Sequence, residues 1–273
     1  MKRKYPALSE DWPVTINFHP DRLVADGSEI LIERLAHDRV WRSQFETGTS
    51  NGGLTAHPGG DRWRWERRMF DGRYDDGPPH DRPRYGALNH RGRAAGGAVR
   101  FGSAHLRLRP HVLARTTFCY PDSVLEPEHF AAVDPEPLVA MADADTAAGA
   151  HDLLDDYVEA QVHGAIALPD DVAALVLDPC YRDTPVADAA RGLGVDVEWH
   201  HGFRLHVDEL AKRPEFRGPA IVDVARAVAV GHTRDGWLDA RVTGEAVLAG
   251  EHDPQDLKKV WHHVARWGDY RVR

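Results

Sequence analysis

The chain has 273 residues, 42% of them hydrophobic, two cysteines and a formal net charge of −9. That is length and apolar content enough for one large domain or two small ones with a real core, so the chain reads as globular. No run of about 18 apolar residues occurs and the start, MKRKYPALSEDWP, lacks the apolar segment of a signal peptide, so a soluble cytoplasmic protein is expected.

In chain order, Val14–His19 alternates like a half-buried strand and stops at Pro20, and Ser28–His37 places Ile30, Leu31 and Leu35 on one helical face. Val40–Phe45 reads as a second short strand. It leads into a polar, glycine-rich loop between Arg42 and Arg62, in which Gly48, Gly52, Gly53, Gly59 and Gly60 stand among Ser43, Gln44, Thr47, Ser50 and Asn51. Such a loop lets the backbone approach a ligand and offer it free amide donors. Arg62–Phe70 reads as a helix, followed by a proline-rich connection from Gly77 to Pro83. Phe101–Leu108 alternates strictly, with Arg115–Tyr120 as its expected partner strand. Met141–Asp156 reads as a helix, Tyr157–Leu168 as an alternating strand and Val172–Leu177 as a buried one. Helices are expected at Pro185–Leu193, Pro219–Val230 and Pro254–Trp267. The whole, 1–273, reads as one domain, with a core of about 12–182 and a C-terminal extension of about 183–273.

Charge is unevenly spread. Arg62–Arg115 carries 13 Arg against 5 Asp/Glu, whereas the chain from Thr116 onward carries 14 Lys/Arg against 29 Asp/Glu. The basic stretch adjoins the glycine-rich loop, so an anionic ligand is expected there, with arginine suited to bidentate phosphate contacts. Arg107 and Arg109 share a strand face with His105, which makes one edge of that strand basic. The two cysteines, Cys119 and Cys180, make neither a disulfide framework nor a zinc knuckle and read as small buried hydrophobes.

The runs SQFETGTSNGG, RPRYGALN, RFGSAHLRL and EAQVHG, in that order, resemble an uncharacterised bacterial family known only as a domain of unknown function. The layout is also similar to the ADP-ribosyltransferase fold, an α+β architecture of split antiparallel sheets with flanking helices, whose members consume NAD. That resemblance implies three motifs. The first, Arg or His at the end of the first strand, matches His19. The second, a Ser-rich strand or a Tyr, matches Ser43 or Tyr85, and the third matches Glu159-Ala160-Gln161. Here the usual catalytic glutamate position is Gln161, with the acid two residues earlier.

Cleaving the nicotinamide–ribose bond passes through an oxocarbenium-like state, which a carboxylate stabilises best. Strand alternation puts Glu159, Gln161 and His163 on one face, so Glu159 is expected to supply charge and Gln161 hydrogen bonds. The resemblance makes Glu159, Gln161 and His19 the catalytic candidates. Ser43, Gln44, Thr47, Ser50, Asn51, Gly52, Arg84, Tyr85, Arg100 and His163 are the candidates for binding NAD or ADP-ribose, with Tyr85 stacking on nicotinamide and arginines on phosphates. NAD is then a substrate, since no dinucleotide fingerprint follows a strand. The acceptor is expected to be a macromolecule, protein or nucleic acid. A non-catalytic nucleotide- or nucleic-acid-binding module with an arginine-rich face is the second reading. A metal-dependent hydrolase is the third, although the adjacent pairs His200-His201 and His262-His263 cannot chelate jointly and no metal is expected.

Overall fold

The computed structural model describes residues 12–48, 55–132 and 134–268. Ser50, Asn51 and Gly52 lie outside these residues. The first half contains β1 (Val14–Phe18), α1 (Leu31–Asp38), β2 (Val40–Trp41), α2 (Gln44–Thr47), α3 (Asp61–Met69), β3 (Arg84–Leu88), β4 (Ala104–Leu108), β5 (Thr116–Tyr120) and β6 (His129–Ala131). Next come α4 (Glu136–Ala148), β7 (Val158–Val162), β8 (Ile166–Ala167), β9 (Val172–Leu177), α5 (Pro185–Arg191) and β10 (Asp196–Trp199). The chain ends in β11 (Leu205–His206), α6 (Val207–Leu210), α7 (Ala220–His232), β12 (Trp237–Leu238), α8 (Ala240–Ala249) and α9 (Pro254–Trp267).

The architecture is α+β. Eight strands form one sheet in the order β10-β9-β4-β1-β3-β7-β5-β6, antiparallel throughout except for the parallel β10/β9 pair, and two-stranded ribbons pair β11 with β12 and β2 with β8. The sheet's two faces differ in chemistry because side chains alternate. Ile16, Leu106 and Leu175 share one row of the apolar face, as do Leu88 and Val158, and they join a core that also takes in Leu138, Val139 and Ala142 of α4. The opposite face is polar. Tyr85, Gln161 and Thr117 lie abreast on β3, β7 and β5, and Ala87, Glu159 and Cys119 form the next row.

The middle of the sheet is its weakest seam. β1 and β3 pair only through Val14↔Leu88 and Thr15↔Ala87. Gly86 makes even this closure feasible, since a Cβ there would stand 2.5 Å from the Thr15 carbonyl oxygen and 3.1 Å from Ile16 Cγ1. Beyond it the two strands part.

Several expectations are corrected. The strand expected over Val40–Phe45 ends after two residues, because Ser43 caps α2: its Oγ accepts from Glu46 N at 3.2 Å and its own N–H donates to Glu46 Oε2 at 2.7 Å. β4 and β5 are not partners, since β4 lies between β1 and β9 while β5 lies between β7 and β6. The helix expected over Met141–Asp156 starts earlier, at Glu136, and stops at Gly149, whose left-handed conformation terminates it. β3 and α8 were not anticipated. Nor is the β4 edge basic: His105 is buried, with its pKa pushed down to about 3 by burial first and neighbouring cations second, and Arg107 donates to both carboxylate oxygens of Glu198.

Candidate functional site

Where β1 and β3 separate, a cavity of about 550 Å³ opens. Ile16 and Arg84 from the apolar face line it together with Asn17, Tyr85 and Glu159 from the polar face, so it passes through the gap between the strands. Its outer wall comes from α1, β2 and α2, including Trp41, Gln44 and Thr47. Asn17 fixes another wall: its Nδ2 donates to the Ala95 and Gly102 carbonyls at 2.8 and 3.1 Å and its Oδ1 accepts from Ala98 N at 3.2 Å. This pins the 95–102 segment over β1. Gly102, at φ 152°, allows it, because a Cβ there would fall 2.0 Å from Phe18 C.

The helix α3 closes the polar face. Arg62 and Glu66, one turn apart, are both buried against Tyr85, the guanidinium lying 3.9 Å from the ring centroid and the tyrosine hydroxyl donating to Glu66 at 2.6 Å. Arg82 also donates to Glu66, at 2.6 Å. Buried charge is tolerated on this helix because each charged group has a partner.

Glu159 sits at the centre of a hydrogen-bonded network. Its Oε1 accepts from Gln161 Nε2 at 3.0 Å, and its Oε2 accepts from Ser123 Oγ at 2.8 Å. Ser123 in turn accepts from Arg62 Nη1 at 2.9 Å and lies 3.2 Å from Asp122 Oδ1. Asp122, which also lines the cavity, accepts from the Tyr157 hydroxyl and from Val124 N at 3.0 Å. Two carboxylates thus flank one serine hydroxyl. Burial pushes Glu159 up to about 7, and the charge of Asp122 adds to the rise while Arg62 opposes it. Burial also works to raise Asp122, yet the bonds with Tyr157, Val124 and Glu159 and the charge of Arg100 together outweigh it and hold this carboxyl below its ordinary value.

The other expected site residues divide sharply. Gln161 is fully buried and does not line the cavity; it donates to Glu159 and to Cys119 Sγ (3.2 Å) and accepts from Thr117 Oγ1 at 3.0 Å, so it positions Glu159 rather than meeting a ligand. His163 lies farther along the same row, with Nε2 3.0 Å from Thr117 Oγ1 and Nδ1 bonded to the Tyr74 hydroxyl, and burial lowers its pKa to about 4. Gln44, Thr47 and Tyr85 line the cavity, but one face of the Tyr85 ring is already covered by Arg62. Ser43 is buried and donates to the Pro79 carbonyl at 2.6 Å.

Three assignments shift more. His19 turns away to α9, edge-on to Trp261 at 5.2 Å between ring centroids, and is not part of the cavity wall. Arg84 spends its donors on the carbonyls of Trp41, His80 and Arg82 and on Glu46 Oε2, so it ties α2 to β3 and is not free for phosphate. Arg100 pairs with Asp155 and stands 3.9 Å from Asp122, behind the cavity. One cation in the wall differs. Among the described residues the guanidinium of Arg22 has no ion pair or hydrogen bond; burial lowers its pKa, with Asp21 close enough to oppose that fall.

Sequence reasoning missed Asp122, Ser123, Tyr157, Arg62 and Arg22 as site residues. Tyr157 was legible, being two residues before Glu159 on an alternating strand. Arg62 and Glu66 were legible as an i,i+4 pair. Asp122-Ser123 carries no local signal, since only the β5/β7 pairing brings it to Glu159.

A family model described as a protein of unknown function, DUF3626, matches residues 13–143 and 136–268. The chain belongs to this family. Together the two matches take in every strand of the eight-stranded sheet of this DUF3626 chain, and both Asp122 and Glu159 of the cavity. No curated protein matches it. Among the described residues of the DUF3626 chain, no group of three or more His, Cys, Asp or Glu stands together in a way that could hold a metal, and no helix is long and apolar enough to cross a membrane.

Proposed function

We propose that this DUF3626 protein cleaves the nicotinamide–ribose bond of NAD in the cavity between β1 and β3, passing ADP-ribose to water or to an acceptor. The observation that carries this reading is Glu159, a buried carboxylate held from both sides by Gln161 and Ser123 at the wall of a cavity of about 550 Å³. That volume falls in the range of small-molecule and cofactor sites, roughly 300–1,000 Å³. A preorganised carboxylate in a site shielded from water is what stabilises positive charge developing on a sugar carbon, at no cost of reorganisation. Arg22 supplies a cation for a phosphate, and Trp41 and Tyr85 in the wall supply aromatic surface for a base.

The second reading, a nucleotide-binding module without catalysis, uses the same cavity. A nucleic-acid face built from the arginine-rich stretch is less well supported, because Arg82, Arg84, Arg91, Arg100 and Arg107 all bond to protein groups. The test is nicotinamide release from NAD by the purified protein, followed by chromatography, alongside calorimetric titration with NAD and ADP-ribose. Release that depends on Glu159 supports the enzyme. Binding without release leaves the module, and neither binding nor release at millimolar ligand refutes both.

A further inference from the structure

Beside Glu159, on the same serine hydroxyl, the cavity wall presents another carboxylate, Asp122, that NAD cleavage by one acid does not require. Asp122 and Glu159 reach it from different strands, β5 ending two residues before Asp122 and β7 carrying Glu159, and the same Ser123 hydroxyl lies within hydrogen-bond reach of both, at 3.2 and 2.8 Å. Their remaining partners are unlike. Asp122 receives an O–H from Tyr157 and an N–H from Val124, both of which favour its ionised form. Besides Ser123, Glu159 receives the Gln161 amide at 3.0 Å and the weak donor of the Cys119 thiol at 3.9 Å. Two carboxyls side by side with such different surroundings titrate apart, which is how paired acids divide two tasks.

We propose that Asp122 is a second catalytic carboxylate: ionised, it adds to the stabilisation that Glu159 gives the positive charge forming at the sugar carbon, and Glu159 then also takes the proton of the incoming nucleophile. This rests on the NAD-cleaving reading. The C1′–N bond breaks with its electron pair passing to the nicotinamide nitrogen, which loses its positive charge and needs no proton. The oxygen of water or of an acceptor hydroxyl bonds to C1′, and its proton passes to the Glu159 carboxylate and then to solvent. Nicotinamide, ADP-ribosyl product and one proton balance NAD and the nucleophile.

Nicotinamide release should then fail at low pH and rise as Glu159 loses its proton. The groups that set this limb are Asp122, Arg62 from α3, Cys119 from β5, Tyr85 from β3 and, through Asp122, Tyr157 and Arg100. Asp122→Asn removes the like charge beside Glu159 while keeping an oxygen for Val124 N. The plateau rate should drop on the order of 10²–10³-fold. Its low-pH limb should move down by about one pH unit, because Glu159 no longer ionises against a neighbouring anion. Tyr157→Phe keeps both carboxyls but withdraws a proton donor from ionised Asp122, so its limb should move up. This opposite shift is the second reading should the Asn variant fail to fold, which circular dichroism and thermal melting report. Limbs that stay at the wild-type pH in the folded variants, or an Asp122→Asn plateau within about threefold of wild type, overturn the proposal and leave NAD cleavage standing. A wild type that releases no nicotinamide overturns both.

Discussion

Replacing Gln161 by Glu tests whether this residue positions Glu159 or stands in for it. Glu at this position would restore the usual acid of the resembled family, and on that ground the substitution should help. The geometry says otherwise, because residue 161 is fully buried and its side chain lies 3.0 Å from Glu159 Oε1. Burial alone disfavours a charge at 161, and wherever Glu159 is ionised two unit charges at that distance add a repulsion of roughly 5 kcal/mol at an effective dielectric of about 20. The folded protein avoids this by keeping one more proton. Holding a glutamic acid neutral costs about 1.4 kcal/mol per pH unit above its ordinary value of about 4.3, hence roughly 3.5 kcal/mol at pH 7 and roughly 1 kcal/mol at pH 5. The sign follows from the raised folded-state pKa: the unfolded chain sheds the proton above about pH 4.3, so stability relative to wild type falls as pH rises and returns as pH drops. Urea unfolding of wild type and Gln161→Glu at the two pH values reads the difference directly. A penalty equal at pH 5 and pH 7, or no penalty at either, refutes the assignment of Gln161 as a buried donor to Glu159.

Three further outcomes are expected. Glu159→Gln should lower nicotinamide release on the order of 10²–10³-fold with its melting temperature nearly unchanged, as measured by product chromatography and calorimetry. Arg84→Ala should cost about 3 kcal/mol or more, because it takes the cation from Glu46 and a donor from each of three carbonyls, and should lower Tm by roughly 6–12 °C in a thermal melt. Arg22→Gln should instead leave Tm within about 2 °C of wild type and weaken NAD binding by about tenfold or more in titration calorimetry, since its guanidinium has no protein partner among the described residues to lose.

The parts of this fold that were legible in the sequence are those whose signal is local. β1, β9 and α9 lie within a residue of where alternation, an unbroken apolar run and a proline at the helix start place them. β3 was hidden because RYGAL alternates around a glycine and begins with an arginine that packs inside, both of which read as loop. The common face of Glu159, Gln161 and His163 was legible from period two alone, and Thr117 now links the second to the third. Which of them meets the cavity was not. That depends on the parting of β1 from β3 and on α3 closing over Tyr85, neither of which leaves a mark within a ten-residue window.

The uneven charge of the chain, basic from Arg62 to Arg115 and acidic afterwards, invites the expectation of an anion-binding surface, and the structure gives it a different meaning. Arg68 meets Glu126, Arg91 meets Asp143 and Asp156, Arg100 meets Asp155, Arg107 meets Glu198 and Arg115 meets Asp171. In each pair the cation comes from the basic stretch and the anion from the acidic remainder. Sheet order explains this, since β3 and β4, from the basic half, are interleaved with β7 and β9, from the acidic half. Local net charge along a sequence therefore measures which segments must meet in the fold as much as what the surface attracts. A consequence bears on the cavity itself. Arginines from the stretch that reach its wall, Arg62 and Arg84, arrive already bonded, and Arg62 serves Glu159 through Ser123. The cation left for a ligand, Arg22, comes from the turn after β1, outside the basic stretch altogether. Affinity for an anionic substrate should accordingly be lost on changing one residue near the start of the chain, and should change little when exposed arginines such as Arg64 are neutralised.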